Sequence, residues 1–146
     1  MIPNGPRRFH GIYPSTVLPM QPDFSPDWEA YARHTAHCVL REGMAGVLMN
    51  GHAGENFVIS RAEKRRAVEV TVATVGATRI VVAGVNAEGS LDAAEEAREA
   101  REAGADAVMV FLPNAFALAQ TTAMAVLHHR TIAAAVPGMP IFLFQA

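Results

Sequence analysis

The residues with the clearest capacity for chemistry form a short glycine-rich segment that follows an apolar run. The run is Ala45–Met49, closed by Asn50, and the segment consists of Gly51, His52, Ala53, Gly54 and Glu55. A near-continuous apolar run of this kind is typical of a buried parallel strand. Glycines directly after a strand let the main chain turn tightly and expose its N–H groups, which suits a small anion such as a carboxylate. The segment therefore predicts a ligand site at the carboxyl end of a strand.

Strand-like and helix-like segments alternate along the whole chain. The predicted strands are Gly11–Leu18, Ala45–Met49, Arg79–Ala83, Ala107–Leu112 and Ile141–Phe144. The predicted helices begin at the N-cap Ser25, at the capping box of Ser60 and Glu63, at Ser90 or Asp92, and near Leu118. Strands that recur about every 30 residues, joined by short right-handed crossovers, predict a parallel α/β sheet.

Such a sheet is either an open doubly wound sheet or part of a (β/α)8 barrel. No Gly-x-Gly-x-x-Gly motif follows the first strand, which disfavours a dinucleotide-binding sheet. Polar residues end several strands, as expected where a barrel gathers its ligand groups; they are Thr16, Asn50, Asn86 and Asn114. Because a barrel typically needs about 250 residues, we expect residues 1–146 to form one domain that supplies about strands 1–5 and helices 1–4 of a TIM barrel.

Composition and charge exclude several classes of protein. The chain is 51% hydrophobic and 18% charged with a net charge of −2, which argues against disorder and against a nucleic-acid partner. No apolar segment reaches the roughly 20 residues of a membrane span, and no hydrophobic stretch follows Arg7 and Arg8 as in a signal peptide. The single cysteine, Cys38, fits a reducing cytoplasm. No residue set predicts a metal or a cofactor, since nothing completes the pair His34 and His37.

Three segments in order resemble the dihydrodipicolinate synthase / N-acetylneuraminate lyase family of Schiff-base aldolases. Residues 11–20, Gly-Ile-Tyr-Pro-Ser-Thr-Val-Leu-Pro-Met, are similar to the family's opening strand. Residues 51–55 are similar to its Gly-x-x-Gly-Glu loop, and residues 104–113 to its fourth strand with a proline exit. The opening of helix two, residues 61–64, also resembles the family. The resemblance covers nearly the whole chain but only the amino-terminal half of a family member.

The resemblance implies a TIM barrel that is usually a homotetramer built from tight dimers. It implies a lyase or aldolase that binds pyruvate or a related 2-keto acid as an imine on a lysine of strand six, with no cofactor. It also implies a substrate-binding set of Gly51, His52, Ala53, Gly54, Glu55 and Thr16, in which the loop holds the keto-acid carboxylate and Glu55 braces it. A small-molecule 2-keto acid and further copies of the chain are the partners to expect.

Several positions depart from the family pattern. His52 and Ala53 stand where hydroxyl residues are common, and Phe144, within Leu-Phe-Gln, stands at the position of the family's relay tyrosine. Phenylalanine keeps the ring but has no hydroxyl with which to relay a proton. After strand four, residues 113–116 contain no tyrosine. The departures predict a divergent member with another keto acid or another reaction.

The largest departure from the family pattern concerns the lysine that forms the imine. Lys64 is the only lysine and lies beside Arg61, Arg65 and Arg66, so we expect it on a solvated helix face. A Schiff-base lysine needs a desolvated pocket that lowers its pKa. We therefore expect this chain to be the first half of a longer protein and inactive alone. The alternative is a catalytically inactive half-barrel that acts as a ligand-binding or assembly module and is completed by another chain.

Overall fold

The computed structural model describes residues 9–144, which form four parallel strands and four helices. The strands are β1 (Gly46–Met49), β2 (Ile80–Val85), β3 (Ala107–Val110) and β4 (Ile141–Leu143). The helices are α1 (Trp28–Val39), α2 (Arg61–Val75), α3 (Ser90–Glu102) and α4 (Thr122–Ala135). Short 3-10 turns occupy His52–Gly54, Gly76–Thr78 and Asn114–Ala117. Three residues used in the sequence argument, Arg7, Arg8 and Gln145, lie outside the described range.

The strand order decides between the two sheet types left open by the sequence. The sheet runs β1-β2-β3-β4, and every pair is parallel. Strands that are consecutive in the chain are thus neighbours in the sheet, without the reversal that creates the switch point of a doubly wound fold. Consecutive helices also pack on one another, α1 on α2, α2 on α3 and α3 on α4, as one continuous layer. The described residues therefore form an arc of a (β/α)8 barrel, as predicted.

The predicted first strand, Gly11–Leu18, is not a regular strand. It makes two isolated parallel bridges beside β1, Ile12 with Met44 and Ser15 with Leu48. Leu48 N donates to Pro14 O at 3.0 Å, and Thr16 N donates to Leu48 O at 3.0 Å. Pro14 has no N–H to continue the ladder, which explains why the pairing stays discontinuous. The segment still occupies the place of a first barrel strand.

The sheet is apolar on both faces, as a buried parallel sheet should be. The helices cover one face of the sheet. The buried residues of that face are Val47, Met49, Val81, Ala83, Val85, Val108 and Val110. The opposite face lines an open cavity of about 290 Å³ with Tyr13, Leu48, Val82, Met109 and Phe142. This second face corresponds to the interior of a barrel, where side chains from successive strands stack in layers.

Local signals set most helix starts. Ser60 accepts from Glu63 N, and Glu63 accepts from Ser60 N at 2.7 Å, so the predicted capping box of α2 is present. At α1 the predicted N-cap Ser25 is wrong by two residues, because Asp27 accepts from Ala30 N at 2.9 Å. Helix α4 begins at Thr122 rather than near Leu118, since Thr121 caps it and residues 114–117 form a 3-10 turn. Within the described residues no helix has the length and apolar character to cross a bilayer.

The placement of Lys64 corrects the sequence-based prediction of a solvated lysine. Its side chain is buried, with 9% of its surface exposed. Nζ forms an ion pair with Glu96 of α3 and donates to Asn86 O at 2.9 Å. The burial arises because this face of α2 packs against α3, so the chain must neutralise the charge there. The neighbouring Arg61 and Arg66 remain half exposed on their side chains.

Candidate functional site

The glycine-rich loop after β1 folds across the end of β2. Asn50 adopts a positive φ of 52° and Glu55 one of 62°, so left-handed residues bracket the loop. Gly54 N donates to Gly51 O at 2.9 Å and closes a 3-10 turn. The crossing requires Gly84 on β2, because a Cβ there would collide with the Asn50 carbonyl oxygen. Asn50 Nδ2 also donates to Lys64 O at 2.9 Å, which ties the loop to α2.

The loop carries three successive main-chain N–H groups, of which Gly51 is buried and His52 and Ala53 are exposed. Within residues 9–144, no acceptor faces the N–H groups of Gly51, His52 and Ala53. Consecutive N–H groups of this kind form the concave anion sites of many phosphate- and carboxylate-binding loops. The loop can therefore hold an anion through its main chain without a hydroxyl at positions 52 and 53.

Glu55 stabilises the loop through its main chain. Its side chain is exposed, and no hydrogen-bond partner for its carboxylate lies within the described part of the chain. Its carbonyl oxygen instead accepts from Val58 N at 3.0 Å and Ile59 N at 3.3 Å. The main chain at Glu55 therefore stabilises the loop, and a role for its side chain stays a prediction.

Thr16 lies apart from the loop donors. Its side chain is 1% exposed, and Oγ1 faces the Tyr31 hydroxyl at 3.5 Å, which in turn contacts Thr71 Oγ1 at 2.8 Å. This chain of hydroxyls runs into the helix layer, because Thr16 faces the side opposite to the barrel interior. The Thr16 hydroxyl therefore belongs to a buried network, and its role in substrate binding stays a prediction. Its carbonyl oxygen does approach Gly54, where a Cβ would lie 3.3 Å away.

The structure gathers four rings at the carboxyl end of the sheet, named here the aromatic cluster: His52, Phe57, Phe111 and Phe144. The His52 ring centroid lies 4.7 Å from that of Phe57, 4.4 Å from Phe111 and 5.6 Å from Phe144. Phe111 and Phe144 are 4.6 Å apart. The loop after β1 and the end of β4 thus meet at His52 and Phe144. Sequence reasoning missed Phe111, although it follows Met109 by two residues, and residues two apart on a strand share a face.

A cavity of about 230 Å³ opens against this cluster. Its lining residues are His52, Phe111, Leu112, Pro113, Asn114, Phe116, Ala117, Gln120 and Phe144. Only Asn114 and Gln120 add neutral polar groups, and His52 is the sole titratable lining residue of the described chain. Lys64 is not part of the lining, since its ammonium is held between α2 and α3.

Glu88, in the loop after β2, fixes one wall of the cavity. Its carboxylate accepts from Ala115 N at 3.0 Å and Asn114 N at 2.9 Å. The hydrogen bonds from Ala115 N and Asn114 N lower the pKa of Glu88 below the usual range for a glutamate. Sequence reasoning missed this contact because it joins two loops 26 residues apart.

The buried carboxylate of Glu96 also holds the loop after β2. It accepts from Asn86 N at 2.8 Å and pairs with Lys64. Burial raises the pKa of Glu96, while the Lys64 charge and the Asn86 N–H act in the opposite direction. The ion pair therefore links α2, α3 and the end of β2 in one hydrogen-bonded unit.

Comparison with known proteins supports the family resemblance. The model of the dihydrodipicolinate synthetase family matches residues 8–146. An uncharacterized DapA-like lyase of Halobacterium salinarum is 34% identical over 140 residues, which cover 96% of this chain and 45% of that protein. The 4-hydroxy-tetrahydrodipicolinate synthase of Prochlorococcus marinus is 30% identical over 140 residues, which again cover 96% of this chain and 45% of that protein. The chain spans about half the length of the curated relatives it matches.

Solved structures show the same fold. A crystal structure of dihydrodipicolinate synthase superposes with a TM-score of 0.85 at 25% identity, over 94% of this chain and 46% of the other. The 4-hydroxy-tetrahydrodipicolinate synthase of Methylacidiphilum fumariolicum gives a TM-score of 0.86 at 23% identity, over 95% and 45%. The second likeness concerns the fold alone, and it agrees with the half-barrel described above.

Proposed function

The chain belongs to the dihydrodipicolinate synthetase family, a family of lyases, and from this premise we propose that the protein acts on pyruvate or a related 2-keto acid through a lysine imine. The observation that carries the proposal is the loop of Gly51, His52 and Ala53, whose main-chain donors have no acceptor within residues 9–144. In the proposal this loop holds the keto-acid carboxylate. The iminium would act as an electron sink that makes the neighbouring carbon nucleophilic or permits the reverse cleavage.

The proposal places the imine-forming lysine on strand six, outside residues 1–146. The burial of Lys64 supports this placement, because its ammonium is already paired with Glu96 and bonded to Asn86 O. An amine held as a charged partner in the helix layer is a poor nucleophile for a carbonyl in the barrel interior. We further propose that the protein works in the cytoplasm as a homo-oligomer.

Proton transfer must differ from a tyrosine relay. Phe144 borders the cavity but carries no acidic proton. His52 also borders the cavity, and an imidazole ring carries both a donor and an acceptor nitrogen. We assign any relay on this side of the site to His52 or to water, and we keep Gly51, Ala53 and Gly54 as main-chain binding residues.

A second function is a catalytically inactive ligand-binding or assembly module. It is favoured by the lack of hydroxyl groups at Ala53 and Phe144. In this case the loop would still bind a keto acid, but no imine would form.

Borohydride trapping separates the two functions. The natural gene product that contains this sequence is incubated with pyruvate or 2-oxobutanoate, reduced and analysed by peptide mass spectrometry. The lyase proposal predicts a reduced adduct on a lysine outside residues 1–146. Binding of the keto acid with no adduct would support the inactive module instead. An adduct on Lys64 would contradict the assignment of the lysine.

A further inference from the structure

The aromatic cluster offers a ligand contact that the binding of a small keto acid leaves unused. Phe111 is 4% exposed, and its ring packs on both His52 and Phe144 with interplanar angles of 32° and 46°. His52 and Phe144 meet edge to face at 72°. Tilted and edge-to-face rings at centroid distances of about 4.5–7 Å are the arrangement that aromatic groups prefer. Another flat ring can extend this packing into the cavity.

The cavity has room for a ring. The residues that bound its volume of about 230 Å³ all belong to the half-barrel described above. An apolar cavity of about 150 Å³ is enough to hold benzene. The space next to Phe111 and Phe144 therefore suits a single ring with a short chain.

The described wall of the cavity favours contact with a neutral ring. Its aromatic residues include Phe111, Phe116 and Phe144, and only Asn114, Gln120 and His52 supply side-chain hydrogen-bonding groups in the described lining. Burying a polar group there without a partner would weaken binding.

From this lining we propose that the substrate carries a single aryl ring, seated against Phe111, Phe144 and Phe116, with its carboxylate on the loop of Gly51 to Ala53. The orientation of the carboxylate rests on the proposed function, whereas the ring pocket stands on the cluster geometry. Asn114 and Gln120 lie at the polar rim, where they can contact a substituent on the ring.

Binding of 4-phenylbutanoate and butanoate tests this inference. Both ligands have the carboxylate and lack the keto group, so neither forms an imine, and the result does not depend on catalysis. Calorimetry on the natural gene product is expected to give a Kd at least tenfold lower for the phenyl compound. Equal affinities, or weaker binding of the phenyl compound, would overturn the proposal even if borohydride trapping succeeds.

Two variants distinguish a pocket that requires an aromatic side chain from nonspecific hydrophobic binding. F144L keeps an apolar side chain and removes the ring, and we expect it to reduce the phenyl preference about three- to tenfold. F116A serves as a second lining variant if F144L disturbs the sheet. The matched control is F24A, because Phe24 is 85% exposed and lies outside the cavity. A preference that F144L and F116A leave unchanged, or that F24A reduces equally, would contradict the assigned pocket.

Discussion

At the scale of single residues, Lys64 and Glu96 form a buried ion pair between α2 and α3. Arg61 and Arg66 of the same helix remain half exposed, so helix packing turns Lys64 away from the solvated face. The arginine neighbours predict solvent exposure from the sequence, but burial depends on contacts between distant segments. The glycines and His52 could be placed because their spacing fixes a turn after a strand.

The Lys64–Glu96 pair leads to a stability prediction. The variant K64M leaves Glu96 buried without its counterion, and breaking a buried pair from one side costs about 3–5 kcal/mol. Burial already raises the pKa of Glu96, and removal of the lysine charge raises it further. The folded state then binds a proton that the unfolded state has released, so stability is full below the ordinary glutamate pKa and falls as pH rises through the folded value. Urea unfolding of K64M at pH 5 and pH 8 should show the lower midpoint at pH 8.

Two further variants control this prediction. K64M/E96L removes both charges, and we expect it to regain most of the lost stability, because an apolar replacement of a buried pair is often neutral or stabilising. R33M breaks an exposed pair with Glu29 and should change the free energy of unfolding by less than about 1 kcal/mol. A K64M protein that is as stable as the wild type at pH 8 would contradict the structural role of the pair.

At the scale of elements, regular segments could be predicted and loops could not. Apolar runs and caps located β1 to β4 and α2, since these signals are local. The edge segment around Pro14 and the 3-10 turn Asn114–Ala117 depend on pairing and on long-range contacts instead. The wall of the cavity is one such case, because Glu88 holds Asn114 and Ala115 from a different loop.

The Glu88 contact predicts a pH-dependent loop. The lowered pKa of Glu88 means that its two main-chain bonds form fully above the ordinary glutamate pKa and are lost as pH falls through the folded value. Amide exchange should therefore show protection factors at Asn114 and Ala115 that decrease on acidification. In E88Q the same protection should be weaker and independent of pH over that range.

The control for this loop is E95Q, which removes an exposed carboxylate that pairs with Arg98 of the same helix. Protection at Asn114 and Ala115 should follow the wild type in that variant. Protection that stays pH-dependent in E88Q would show that another group controls the loop.

At the scale of the whole molecule, the order of strands and the single helix layer follow from local βα units. The sequence left open whether these units form a closed or a doubly wound sheet. The structure resolves this because every crossover places its helix on the same face, with Tyr13, Leu48 and Met109 left to line the other. The pocket formed by the aromatic cluster could not be predicted, since it joins the ends of three strands that are distant in the chain.

A crystal structure of the natural gene product after reduction with pyruvate tests the central claim most directly. We predict that the carboxylate oxygens of the trapped pyruvate lie within about 3.2 Å of the main-chain nitrogens of the loop at Gly51, His52 and Ala53, with the covalent bond to a lysine beyond residue 146. A trapped ligand whose carboxylate lies elsewhere, with this loop bonded only to solvent, would contradict the account.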